Sequence, residues 1–109
     1  MELIDTGELK QKLDRGEDFK LVMVQGEWEY RAMHIPGSLR VSTLEEGANT
    51  LDPDDEIVLY DSGTYCVASR MAYKILKEHG YQHVRCYAGG LEEWESAGYP
   101  LVVEGERTG

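Results

Sequence analysis

The chain has 109 residues, with 11 Lys and Arg against 21 Asp and Glu, a formal charge of -10, so most of its surface repels nucleic acid and anionic membranes, and both are excluded as partners. Its 41% hydrophobic and 29% charged residues are those of a folded domain and exclude low-complexity classes. Its length predicts a single domain over residues 1–109. Two cysteines, Cys66 and Cys86, are too few for a disulfide framework or a thiolate zinc site. The first residues, Met1 to Leu9, lack the basic start and apolar run of a leader, and no stretch approaches the length of a membrane helix. A cytoplasmic protein with no metal and no cofactor is the expectation.

Asp5 followed by Glu8 has the spacing of a capping box, and Leu9 and Leu13 recur one turn apart up to Gly16, which predicts a short first helix. Lys20 to Val24 (KLVMV) and Ile57 to Tyr60 (IVLY) are compact apolar runs that predict buried strands, the second preceded by the turn-like Leu51 to Glu56 (LDPDDE). Between Val67 and Gly80 the apolar set Val67, Ala68, Met71, Ala72, Ile75 and Leu76 predicts an amphipathic helix with that stripe inward. Gly80 ends it, and His83 to Tyr87 (HVRCY) restores a strand pattern that places Cys86 on the same face as Val84. Gly89 and Gly90 then form a turn, Leu91 to Ala97 a short helix holding Trp94, and Val103 to Gly109 a frayed tail. Short apolar strands alternating with amphipathic helices predict an α/β fold, a mainly parallel central sheet with helices on both faces.

In such sheets ligands gather at the carboxyl ends of strands, beside helix N-termini. One connection has the composition for this. Asp61, Ser62, Gly63, Thr64, Tyr65 and Cys66 lie between the strand ending at Tyr60 and the strongest helix. Small and polar residues in a strand-to-helix loop can turn their amides inward, where the helix dipole adds positive potential. The segment is therefore a candidate anion-binding loop, with Arg70 one turn into the helix either reaching over it toward an anion or simply solvated.

Three further segments carry a family likeness: Val22 to Gly37 (VMVQGEWEYRAMHIPG), with its His34-Ile35-Pro36-Gly37 turn; Ile57 to Tyr60 ahead of the loop; and Tyr87 to Pro100 (YAGGLEEWESAGYP). In this order and spacing they make the sequence resemble the rhodanese-like domains over Ile4 to Leu101. The resemblance implies the rhodanese-like fold and sulfur transfer. In that chemistry a cysteine at the loop head takes sulfane sulfur as a persulfide, the loop amides stabilise its charge, and the sulfur passes to cyanide or a thiol. The implied partners are a small sulfur-containing anion or a protein.

At the family's nucleophile position this chain has Asp61, and a carboxylate cannot carry a persulfide. Other departures accompany it: Met23, Val24 and Gln25 stand where the family often has Asp-Val-Arg, Met33 where it often has Gly, and Cys66 where an arginine is frequent. The six-residue loop, without Cys at its head or Arg at its end, also points away from the phosphatase relatives of the fold.

Asp61 is read as occupying the cradle itself in place of a bound anion, its carboxylate accepting the loop amides as an N-cap side chain does. Cys66 is read as a small residue packed under the loop, with a displaced sulfur-accepting thiol as its functional alternative. His34 is expected to fix the backbone of its turn, Trp28, Tyr30 and Trp94 to lie in the core or at its rim, and Tyr65 to cover the mouth of the site. Three readings follow: a binding or regulatory module of sulfur metabolism without thiosulfate sulfurtransferase activity, a sulfurtransferase or persulfide carrier using Cys66, and a sulfurtransferase in which Asp61 replaces the cysteine.

Overall fold

The computed structural model describes residues 2–24, 27–41, 47, 50–62 and 67–103. Its elements in chain order are β1 (Leu3–Ile4), α1 (Thr6–Asp14), β2 (Lys20–Met23), α2 (Glu27–Ala32), β3 (Leu39–Arg40), β4 (Glu56–Tyr60), α3 (Val67–Glu78), β5 (His83–Tyr87) and α4 (Gly90–Ser96). The five strands lie in the order β1-β5-β4-β2-β3, and every neighbouring pair runs parallel. The middle strand of the run, β4, pairs with β2 in register, with Lys20 opposite Ile57 and Met23 opposite Tyr60.

Alternation along the strands sorts the core into two layers, one per face of the sheet. Leu21, Met23, Val58, Tyr60 and Tyr87 pack with Leu9 of α1 and Leu91 and Trp94 of α4. Val22, Ile57, Leu59, Val84 and Cys86 pack on the other face with Leu76 of α3. Helices therefore cover both faces, as the short apolar strands require. Cys86 is fully buried and shares its face with Val84, as alternation predicts.

Local signals explain the element ends. The Asp5 side chain accepts the Glu8 N–H at 2.8 Å and caps α1. At the other end of the longest helix, Gly80 has φ of 89°, a left-handed conformation that an L side chain resists, and the Tyr81 N–H donates back to Leu76 O at 3.0 Å. A bidentate pair ties α1 to the sheet: Arg85 of β5 donates to both carboxylate oxygens of Glu8, at 2.9 and 3.0 Å, and to Leu3 O at 3.0 Å. Hydrogen bonding to Arg85 holds the Glu8 carboxyl below its ordinary value. The pair therefore stabilises the fold above the ordinary glutamate range and fades as pH falls through the lowered value.

Two outcomes differ from the sequence reading. The elements β1, α2 and β3 were not signalled, because two residues of strand or six of helix show no period and exist through their neighbours. Helix α3 is also rotated from its expected stripe: Ser69 and Leu76 are buried, whereas Met71 is 61% exposed. Met71 and Ile75 instead border an apolar cleft of about 240 Å³ that also touches Val22, Val24, Leu59 and Ala72. Replacing Asp5 by Ala removes the α1 cap without touching the core, so thermal unfolding is expected to show a loss of about 1 kcal/mol.

Candidate active-site loop at the carboxyl end of β4

The chain leaves the central strand at Tyr60, and the next residue turns inward. Asp61 is 2% exposed, and its Oδ2 accepts the Ser69 N–H at 3.2 Å. Ser69 is the third residue of α3, so its amide is one of those that a helix cannot satisfy internally. An N-cap side chain ordinarily takes that donor from three residues away, as Asp5 does in α1. In α3 the same bond comes from eight residues upstream.

Backbone bonds hold the loop head from the opposite side. Leu91 N–H donates to Asp61 O and Glu92 N–H to Ser62 O, both at 3.1 Å, so the first turn of α4 uses its free amides on the loop's carbonyls. The approach depends on Gly90, which is buried with φ of 60° and starts α4 in a conformation suited to glycine. Beneath Ser69, the Cys86 thiol donates to Ser69 O at 3.6 Å. Asp61, Ser69 and Cys86 thus form a column running from the loop through the first turn of α3 to β5.

A second network holds Tyr60. Its hydroxyl accepts the Ile35 N–H at 3.0 Å and shares a 2.8 Å hydrogen bond with Ser38 Oγ, while Tyr30 Oη donates to Ser38 O at 2.7 Å. Burial pushes the Tyr60 phenol up to about 12, so it stays neutral and available for both bonds. His34 Nδ1–H donates to Tyr30 O at 2.8 Å, and the two rings stack 3.9 Å apart. His34 also exchanges backbone bonds with Val102 in an isolated antiparallel bridge. The His34-to-Gly37 turn is thereby fastened to the residue immediately before the loop, and His34 fixes backbone as expected.

Of the residues singled out in sequence, Asp61 and Ser62 lie at the carboxyl edge of β4, and Arg70 is exposed on α3, next to Ser69. Gly63, Thr64, Tyr65 and Cys66 lie outside the described residues, as do Gln25 and the side chain of Trp28. Trp94 is buried, edge-on to Tyr87 and Tyr99, with its Nε1–H donating to Pro100 O at 2.8 Å. Ser69 and the amides of Leu91 and Glu92 were missed. The signal available for Ser69 was a small polar residue inside an amphipathic helix, and for α4 it was the paired glycines before it. Among the described residues, no group of His, Cys, Asp and Glu side chains is arranged to hold a metal ion. No helix among them is long and apolar enough to cross a membrane.

A parallel five-stranded sheet with a short loop at the carboxyl end of its central strand, entering the longest helix, defines the class. A model of the rhodanese-like domain matches residues 5–97, and the chain belongs to that family. It is 36% identical over 108 residues to the HTH-type transcriptional regulator Rv0324 of Mycobacterium tuberculosis, covering 97% of this chain and 46% of that protein. It is 33% identical over 88 residues to the putative sulfur carrier protein YrkF of Bacillus subtilis, covering 78% of this chain and 46% of that one. The chain thus spans about half the length of the curated relatives it matches. Among solved structures it is similar to the Alr3790 protein from Anabaena, with a TM-score of 0.85 and 25% identity over 94% of each chain.

Changing Tyr60 to Phe leaves the buried Ile35 N–H without its acceptor. A loss of about 1–3 kcal/mol in denaturant unfolding is expected, and a Tyr60→Phe protein as stable as the parent would show that this network does not hold the turn.

Proposed function

We propose that this domain is a binding or regulatory module of sulfur metabolism that lacks ordinary thiosulfate sulfurtransferase turnover. The observation that carries this reading is the engagement of Asp61. At the position that the resemblance assigns to the family's thiolate, the chain has a buried carboxylate that accepts an α3 amide. Such a side chain has no sulfur to form a persulfide bond, and its charge disfavours the approach of a second anion. The similarity to a transcriptional regulator over nearly the whole chain fits a module whose output is binding rather than product.

A second reading rests on a separate observation. Cys66 directly precedes the first residue of α3, and one relative is named a putative sulfur carrier. In this reading the Cys66 thiolate attacks the sulfane sulfur of thiosulfate. A new S–S bond forms on the protein, the S–S bond of thiosulfate breaks, and sulfite leaves with its electron pair. The persulfide then passes to an acceptor thiol or a partner protein.

Thiocyanate formation from thiosulfate and cyanide, with peptide-mapped mass spectrometry after thiosulfate treatment, tests both readings. Thiocyanate is expected at background for the parent protein. One added sulfur on the Cys66 peptide, lost in Cys66→Ser and kept in Cys86→Ser, establishes the carrier reading. Turnover that survives loss of both cysteines would overturn every thiol-based account, and turnover gained in Asp61→Cys would mark the chain as a sulfurtransferase with its nucleophile replaced.

A further inference from the structure

We propose that residues 99–103 are a latch for the loop head, so that a partner drawing this segment off His34 loosens Asp61 from α3. The inference rests on the reading of the domain as a binding or regulatory module and names how binding reaches the site. It starts from a closed circuit of hydrogen bonds. Leu91 and Glu92 of α4 hold the carbonyls of Asp61 and Ser62. Further along α4, the Trp94 Nε1–H donates to Pro100 O at 2.8 Å, and Trp94 O accepts the Tyr99 N–H at 3.4 Å. The chain then reaches Val102, whose N–H donates to His34 O at 2.8 Å and whose carbonyl accepts the His34 N–H at 3.0 Å. The next residue of that turn, Ile35, donates to the Tyr60 hydroxyl at 3.0 Å, and Tyr60 adjoins Asp61 in the chain.

The two ends of the segment are held unequally. At the α4 end Trp94 is buried, Tyr99 meets it edge-on with ring centroids 4.9 Å apart, and the Lys10 ammonium of α1 lies 5.1 Å from the centre of the Tyr99 ring. Tyr99 and Leu101 also pack, partly buried, against the core layer that contains Leu9, Tyr60 and Trp94. At the other end the bridge is a single residue pair outside the five-stranded sheet, and Val103 beside it is 53% exposed. One pair of extended residues without a ladder on either side has little stability of its own and opens at a lower free energy than the central strands. The circuit is therefore set to break at Val102 while α4 keeps its hold on Tyr99.

A break there acts on both supports of the loop head. His34 loses two of the bonds that set its turn, and that turn carries the Ile35 donor and the Ser38 hydroxyl that position Tyr60. At the same moment α4 loses its tie to the turn, so its grip on the carbonyls of Asp61 and Ser62 is no longer fixed relative to Tyr60. Closing a ring of contacts restricts every link in it, and opening one link returns freedom to the others. The bond from the Ser69 N–H to Asp61 Oδ2 is the link that lies at the site. Coupling between two sites is reciprocal. A ligand that fixes the loop head therefore tightens residues 99–103, and a partner that captures residues 99–103 weakens the ligand.

The test is native-state amide hydrogen exchange of the full chain, read residue by residue by NMR across low urea concentrations. In the parent protein the amides of His34, Ile35, Leu91, Glu92 and Ser69 are expected to share one opening, with a smaller urea slope than the Val58 and Leu59 amides of β4, because less surface is exposed than in global unfolding. Two variants weaken the latch by different means. Val102→Pro deletes the N–H donated to His34 O, and Leu101→Ala removes packing without touching a hydrogen bond. In each, protection at Leu91, Glu92 and Ser69 is expected to fall several-fold and by the same factor as at His34. Protection lost at His34 but unchanged at Leu91, Glu92 and Ser69, or exchange of all five amides through global unfolding alone, would overturn the latch and leave the module reading standing. Thiocyanate formation by the parent, together with a shared opening, would overturn the module reading and support the latch.

Discussion

One hydrogen bond, from the Ser69 amide to the Asp61 carboxylate, joins the end of the central strand to the start of the longest helix. Nearly everything around the loop is arranged to keep that bond in place. Gly90 lets α4 approach so that Leu91 and Glu92 hold the loop's carbonyls. Cys86 bonds the far side of Ser69, and Tyr60 anchors the strand end to the His34 turn. A buried carboxylate is costly unless amides or charges meet it, and here the unsatisfied first-turn donor of α3 and the acceptor at the strand end resolve each other.

The fold was legible where the physics is local. Asp5 and Glu8 marked the start of α1, compact apolar runs marked β2 and β4 as buried strands, and alternation in β5 placed Cys86 on the same face as Val84. Gly80 marked the end of α3. Where the determinants are tertiary, the sequence carried less. The two-residue strands β1 and β3 exist because Leu3 and Leu39 find open partners in β5 and β2, and no pattern of their own announces this. The rotation of α3 is a similar case, since Met71 and Ile75 are as apolar as Leu76 yet remain exposed while Ser69 is buried.

The candidate site was half legible. That the Asp61 carboxylate accepts an amide hydrogen as a cap does was legible once the family likeness had drawn attention to its position. That the Ser69 N–H of α3 is a donor was not, because a bond between residues eight apart is set by tertiary packing and leaves no local pattern. The contribution of α4 was hidden for the same reason: its free amides could equally have faced solvent. The Asp61 side chain thus has a structural role of its own, as a cap for the helix that follows.

The sheet ends, among the described residues, in strands of two residues on each side, β1 and β3. Exposed strand edges are templates on which another chain can add its own strand, and their danger grows with length and flatness. With rows this short, few backbone groups remain for a foreign strand to pair with, and Arg40 places a cation on one of the two edges. Edge-to-edge β-pairing at these two short strands is thereby discouraged.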